Sequence, residues 1–282
     1  MPQKPPVVLT IAGFDPSSGA GVTADIKTIA AHGCYGVACI SALTVQSTKG
    51  VSRVEVLGQE LIKQTLQDLD NDLKIEAVKI GMLGSGKVVA AVADFLETSK
   101  LPNVVLDPIL KASSGADLLD TSGTRLLAQR LLPLATVVTP NVDEAAALTG
   151  LSAATPDEMK QAALKFHDMG VQNVVITGGH LDTATDLLGF LTSKKSFEFE
   201  IFKAERQRSN STHGTGCAFA TAMACHLALG RGLPESVLLA KAYVGAAIAN
   251  AHPVGKGTGP VHHLYRMHQQ VRRPASDPEP VH

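Results

Sequence analysis

The run S-T-H-G-T-G-C-A-F-A, Ser211 to Ala220, passes from small residues and glycine straight into an apolar helical pattern. A helix N-terminus presents backbone N–H groups without intrahelical partners and the positive end of the helix dipole, and glycine lets an anion approach both. Gly214, Gly216 and the N–H of Cys217 are therefore expected to form an anion hole suited to a transferring phosphoryl group. The competing reading is an ordinary glycine-rich helix start with a buried cysteine. A second run, A-G-F-D-P-S-S-G-A-G-V-T-A-D-I-K from Ala12 to Lys27, also follows an apolar stretch. It has neither the G-K-[ST] of a Walker A loop nor the spacing of a dinucleotide fingerprint. Asp25 falls in the helix beyond it, either as a solvated acid or as a carboxylate that holds a substrate hydroxyl or ring nitrogen.

Asp107 closes a third apolar run and is followed by Pro108, while Asn141 and Glu144 follow a fourth that ends at Thr139. Carboxylates at neighbouring strand ends suit hydrated Mg²⁺, which keeps several waters and bridges phosphates. The alternative is local: Asn141 as a helix N-cap with Glu144 as its capping-box partner. Both roles are compatible at Asn141, and for Glu144 a water-mediated metal role is easier to defend than direct contact.

Taken together, A-G-x-D-x-x-x-G-A-G-x-x-A-D-x-K, A-L-T-V-Q-S-T-x-G-V (Ala42 to Val51), K-I-G-M-L (Lys79 to Leu83), V-L-D-P, T-P-N-x-x-E-A-x-x-L-T-G, G-G-H and S-T-H-G-T-G-C resemble the hydroxymethylpyrimidine/phosphomethylpyrimidine kinases. The likeness runs from about Val7 to the G-P-V-H-H segment at Gly259 to His263. It implies a ribokinase-like, three-layer α/β/α fold with a mainly parallel sheet, often dimeric, so that a homodimer is among the expected partners. It implies ATP and Mg²⁺ as cofactors. The implied reactions are phosphorylation of the hydroxymethyl group of 4-amino-5-hydroxymethyl-2-methylpyrimidine, then of the monophosphate to the diphosphate.

By the same resemblance Gln46 and Met82 line the pyrimidine pocket with Gly13 and Asp25, and Asp107, Asn141, Gly178 and Thr215 lie on the nucleotide side. A Gln amide both donates and accepts, matching an aminopyrimidine edge, and Met supplies an adaptable apolar wall. Where many relatives carry Lys before G-G-H, this chain has Thr177, and it carries Lys111 where an apolar residue is common. Lys111 is expected to supply the missing charge from a loop at the same mouth, against the plain alternative of a solvent-facing lysine. Sugar kinases of this fold use an Asp base at the position of Cys217; a thiol at a helix N-terminus has a lowered pKa and is able to take that part, or it only shapes the hole. Related enzymes with the same Cys turn phosphorylate vitamin B6, so a pyridoxine/pyridoxal kinase is the nearest alternative, and a ligand-binding member without turnover is the alternative from another class.

These residues need a scaffold of alternating strands and helices, and the chain supplies the pattern. Strands are expected at Val7–Ala12, Tyr35–Thr44, Ala77–Gly81, Val104–Asp107, Thr136–Thr139, Asn173–Thr177 and Asp186–Thr192. Helices are expected at Ala20–His32, Gln59–Leu69, Ser85–Leu96, Gly123–Leu131, Val142–Leu148, Pro156–Met169, Gly216–Leu229 and Pro234–Ala251, with a hairpin within Lys194–Arg208. Ligands of such sheets bind beyond the carboxyl ends of the strands, where these motifs fall.

The totals bound the partners. At 282 residues the expectation is one kinase domain over 1–271, with a proline-rich tail over 272–282 that has little to pack. Lys+Arg 25 against Asp+Glu 26 gives no basic field for nucleic acid or anionic membranes, and 4% aromatics without Trp give no stacking platform. Four cysteines without a C-x-x-C pair read as reduced thiols in a cytoplasm. No stretch has the form of an export signal or a membrane span. His180, His213, His262 and His263 show no metal-ligand spacing.

Overall fold

The computed structural model describes residues 4–112, 115–179, 184–205, 207 and 209–267. The expected tail over 272–282 and His180 lie outside the described residues. In chain order the elements are β1 (Val7–Phe14), α1 (Gly21–Ala31), β2 (Tyr35–Ser47), β3 (Gly50–Val56), α2 (Gln59–Asp72), β4 (Ile75–Ile80), α3 (Gly86–Ser99) and β5 (Val104–Leu106). They continue with α4 (Thr121–Leu126), β6 (Val137–Val138), α5 (Val142–Thr149), α6 (Pro156–Asp168), β7 (Asn173–Ile176), β8 (Ala184–Leu191), β9 (Phe197–Ala204), α7 (Thr215–Ala228) and α8 (Leu233–Ala249).

The strands form one sheet in the order β3-β2-β1-β4-β5-β6-β7-β8-β9. The five pairings from β2 through β7 are parallel, and β3, β8 and β9 join antiparallel at the two sides. β1 shows why the sheet is covered on both faces: its apolar residues face both ways, as parallel central strands require. Val7, Leu9 and Ile11 pack into a core with residues of α2, α3 and α6, whereas Val8 packs into a second core with α7 and α8.

One strand, β3, lies where none was expected, and the hairpin expected within Lys194–Arg208 is only half realised there. β3 (G-V-S-R-V-E-V) carries Arg53 and Glu55 on exposed positions, so its apolar half alone is weak as a signal, and its pairing with β2 supplies the rest. β9 (F-E-F-E-I-F-K-A) falls inside the segment expected to form a hairpin, but its partner is β8 rather than a second strand within that segment. The helix expected over Gly123–Leu131 starts earlier, at Thr121, where Asp120 caps it by accepting from Gly123 N. It then widens into a π-type turn over Leu127–Leu131 and tightens over Leu132–Leu134, where Pro133 brings no N–H for an α ladder.

Candidate active site

Ser211 to Cys217 sit where the first turn of α7 meets the sheet. Gly214 takes a left-handed backbone, φ 82°, and a Cβ there would stand 1.9 Å from the carbonyl oxygen of Gly19. Only glycine lets the turn after β1 and the turn before α7 touch in this way. Gly214 offers α7 no side-chain cap, so beyond Thr215 the N–H groups of the first turn, those of Gly216 and Cys217, are left to a ligand. Gly216 is exposed, with nothing within 4 Å of its notional Cβ. The G-P-V-H-H segment braces the turn from outside: His213 N donates to Gly259 O at 3.0 Å and Gly259 N to Asn210 O at 3.0 Å.

Beneath the turn lies a charged floor. Lys79, on β4, is fully buried, and its Nζ donates to Asp25 Oδ2 at 3.0 Å and Oδ1 at 3.2 Å. Asp25 also accepts from Thr10 Oγ1 at 2.6 Å and from Thr221 Oγ1 at 2.7 Å. Burial opposes the charge of Lys79, but Asp25, with Cys217 and Asp107, raises its pKa above the ordinary lysine value. Burial pushes the Cys217 thiol up to about 12, with Lys79 opposing and Asp107 and Asp25 adding to the rise.

Asp107, just beyond β5, is nearly inaccessible, and its Oδ2 has no hydrogen-bond partner. Burial raises its pKa to about 6, with Asp25 adding to the rise and Lys79 and a hydrogen bond with Cys217 opposing it. Asn141 and Glu144 form the capping box: Glu144 N donates to Asn141 Oδ1 at 2.9 Å, and Asn141 N to Glu144 Oε2 at 3.0 Å. Burial, then the charge of Asp107, pushes the Glu144 carboxyl up to about 8. An orphaned buried carboxylate oxygen next to a second raised carboxylate fits a cation. No group of three or more His, Cys, Asp or Glu suited to a metal occurs among the described residues. Two carboxylates match water-rich Mg²⁺ shared with phosphates better than an all-protein cage.

On the other side of the turn, Gly13 lies against Met82, since a Cβ on Gly13 would meet Met82 Sδ at 2.9 Å. Met82 packs with Ala42 and Leu118. Gln46, on β2, approaches His213 with its Nε2 3.2 Å from the ring Nε2. His213 Nε2 in turn lies 3.0 Å from Asp15 Oδ2. The Asp15 carboxyl stays below its usual range: burial works against this, but hydrogen bonds from His213, Ser17 and Ala20 prevail. Further along the sheet, Asn141 and Thr177 bridge β6 to β7, Thr177 N donates to Pro140 O at 2.9 Å, and Gly178 N donates to Asp186 Oδ1 at 3.0 Å. Thr215 N, in the first turn of α7, donates to Thr212 O at 3.3 Å.

The phosphomethylpyrimidine kinase family profile matches residues 15–262. The chain belongs to that family. It is 41% identical over 257 residues to the thiamine biosynthesis bifunctional protein ThiED of Geobacter sulfurreducens, covering 91% of this chain and 52% of that longer one. It is 39% identical over 257 residues to the hydroxymethylpyrimidine/phosphomethylpyrimidine kinase of Haemophilus influenzae, covering 91% of this chain and 96% of that one. Among solved structures, an ADP complex of Bacillus subtilis pyridoxal kinase superposes with a TM-score of 0.84 at 32% identity, covering 94% of this chain and 100% of that one. The fold is thus the ribokinase-like three-layer arrangement that the motifs implied, and the family is one of phosphotransferases.

Within this phosphomethylpyrimidine kinase family chain, two expectations change. Asp25 is neither solvated nor open to a ligand, because Lys79, Thr10 and Thr221 already occupy its oxygens. Cys217 is a thiol with a raised pKa, since burial outweighs the helix N-terminus. Lys111 is exposed and paired with Asp117 at 3.5 Å, with no described contact to Thr177. Three residues were missed as site residues. Lys79 had a signal, a lysine inside an apolar strand, which must find a buried partner. Asp15 and His213 stand inside two of the quoted motifs, but nothing in the sequence pairs them, because their contact joins residues 198 positions apart.

Proposed function

We propose that this chain uses ATP to phosphorylate the hydroxymethyl group of 4-amino-5-hydroxymethyl-2-methylpyrimidine, and then the monophosphate to the diphosphate, as in thiamine biosynthesis. The observation that carries the reading is the adjacency of recognition and transfer: Gln46 lies 3.2 Å from His213, inside the same turn that opens its N–H groups at the start of α7. A pyrimidine edge on Gln46, with Met82 and Gly13 against its face, would hold its hydroxymethyl arm toward that turn. Phosphoryl transfer asks chiefly for positioning and neutralised charge. The N–H groups of Gly216 and Cys217 would bind the transferring oxygens, and the charge of Lys79 below them would favour the same anion. The attacking hydroxyl oxygen forms the new P–O bond as the bond to ADP breaks, and its proton passes to an oxygen of the transferred phosphate or to solvent.

Asp107, and Glu144 through water, would hold Mg²⁺, which neutralises phosphate charge when bound. Asn141, Thr177, Gly178 and Thr215 would line the ATP phosphates. Lys111 would replace the cation that Thr177 lacks by exchanging Asp117 for a phosphate. Asp25 acts by holding Lys79 rather than by touching the pyrimidine.

The structural similarity to a pyridoxal kinase favours one second reading, vitamin B6 phosphorylation. A coupled assay of ADP formation with the aminopyrimidine alcohol and with pyridoxal separates the two. The proposal expects a higher kcat/KM for the pyrimidine; turnover of pyridoxal alone would replace it with the second reading.

A further inference from the structure

The oxygen and nitrogen ends of a glutamine amide are fixed by their partners. With the Gln46 nitrogen toward the imidazole, the hydrogen bonds conflict at both ends. Gln46 Nε2 only donates and stands 3.2 Å from His213 Nε2, which stands 3.0 Å from Asp15 Oδ2, an acceptor only. One ring nitrogen cannot accept from the first and donate to the second. At the far end, the single proton of Thr44 Oγ1 faces two acceptors, Phe14 O at 3.0 Å and Gln46 Oε1 at 3.1 Å. Turning the amide over removes the meeting of two donors at His213 and leaves Thr44 one acceptor, with the single His213 proton shared between two acceptors. His213 Nε2–H then donates to Asp15 and to the Gln46 oxygen, Gln46 nitrogen donates to Thr44 Oγ1, and Thr44 donates to Phe14 O. Asp15 cannot yield instead, because it also accepts from Ser17 N and Oγ, Gly19 N and Ala20 N.

We propose that His213, held as the Nε2–H tautomer by Asp15, is a positioning residue that sets pyrimidine specificity by locking Gln46 with its oxygen toward the anion-hole turn and its nitrogen toward Thr44. The inference rests on the pyrimidine reading of this pocket. In that orientation Gln46 keeps one acceptor site on the His213 side and one proton on the Thr44 side. An exocyclic amino group beside a ring nitrogen pairs with this edge only when the amino group lies toward His213. The vitamin B6 pyridine has no amino group beside its ring nitrogen and cannot pair with it in this way.

His213→Phe keeps a ring and removes the donor, and His213→Gln returns a donor near the Nε2 position. The first is expected to raise the KM for the pyrimidine alcohol by roughly tenfold or more, with a much smaller change for ATP. His213→Gln should recover most of the loss, and His213→Phe should cost little further in a Gln46→Leu background. Equal losses in both backgrounds, or a Gln variant no better than Phe, would overturn the lock. If the wild-type protein neither binds nor turns over the pyrimidine, the pocket reading fails by itself. The lock is then read from the ¹⁵N chemical shifts of the His213 ring, where the Nε2–H tautomer supports it and the Nδ1–H tautomer overturns it.

Discussion

A thiol buried against carboxylates keeps its proton, and Cys217, pushed up to about 12 chiefly by burial, is such a thiol. The two phosphorylations test this, because the alcohol must lose a proton on attack whereas a phosphate monoester, with a second pKa of about 6, is already largely dianionic at neutral pH. Loss of a general base would slow the first step by roughly a hundredfold or more and spare the second. Cys217→Ala is expected instead to slow both single-turnover rates by similar, small factors, because alanine keeps the backbone N–H. A selective loss in the first step would restore the base. Asp25 belongs to the same floor. Asp25→Asn leaves Lys79 charged and buried without its counter-ion, which costs about 3–5 kcal/mol of stability by urea unfolding. Adding Lys79→Met should recover part of the loss, and a fully stable Asp25→Asn variant would contradict the pairing.

The elements impose their own constraints on the site. Gly214 is required by backbone and contact together, whereas Gly216 sits in open space. Gly214→Ala should therefore lower both Tm and kcat. Gly216→Ala should leave Tm nearly unchanged and affect turnover alone, since its cost arises only when a phosphate occupies the turn. A Gly214→Ala variant with unchanged Tm would argue against the contact with Gly19. At the ends of β5 and β6, burial raises Asp107 from 3.8 to about 6 and, with the charge of Asp107, Glu144 from 4.5 to about 8. Raised acid pKa values mean that the folded chain holds these protons more tightly than the unfolded chain. Their stabilisation is full below about pH 4 and is lost as pH rises through 6 and 8. Thermal melts in EDTA should show this fall, Glu144→Gln should flatten it, and the Tm gain on adding Mg²⁺ with ATP should be larger near pH 8.5 than near pH 5. A gain independent of pH would remove the two carboxylates from the cation site.

At the scale of the whole molecule, the sheet order brings the turns after β1, β4 and β5 alongside the start of α7. That arrangement was legible in the chain because apolar runs such as Val7 to Ala12 and Val104 to Leu106 end abruptly in polar motifs. The capping box of Asn141 and Glu144 was legible because its partners are three residues apart. β3 was not, since an alternating charged strand depends on a neighbour for its pairing, and the hairpin expected within Lys194–Arg208 supplied β9 but not its partner β8. The state of Cys217 was not legible either: helix position is local and lowers a thiol pKa, while burial is a property of the assembled fold and here prevails. The same holds for Asp25, whose partners Lys79 and Thr221 come from distant segments. By the proposed function, this assembled site passes phosphoryl groups from ATP to one pyrimidine twice in succession. A ³¹P NMR time course of the purified protein with ATP, Mg²⁺ and the pyrimidine alcohol tests it most directly. A monoester resonance is expected to rise first and then give way to the paired resonances of an organic diphosphate, in step with ADP. Release of inorganic phosphate with no organic phosphate signal would contradict it.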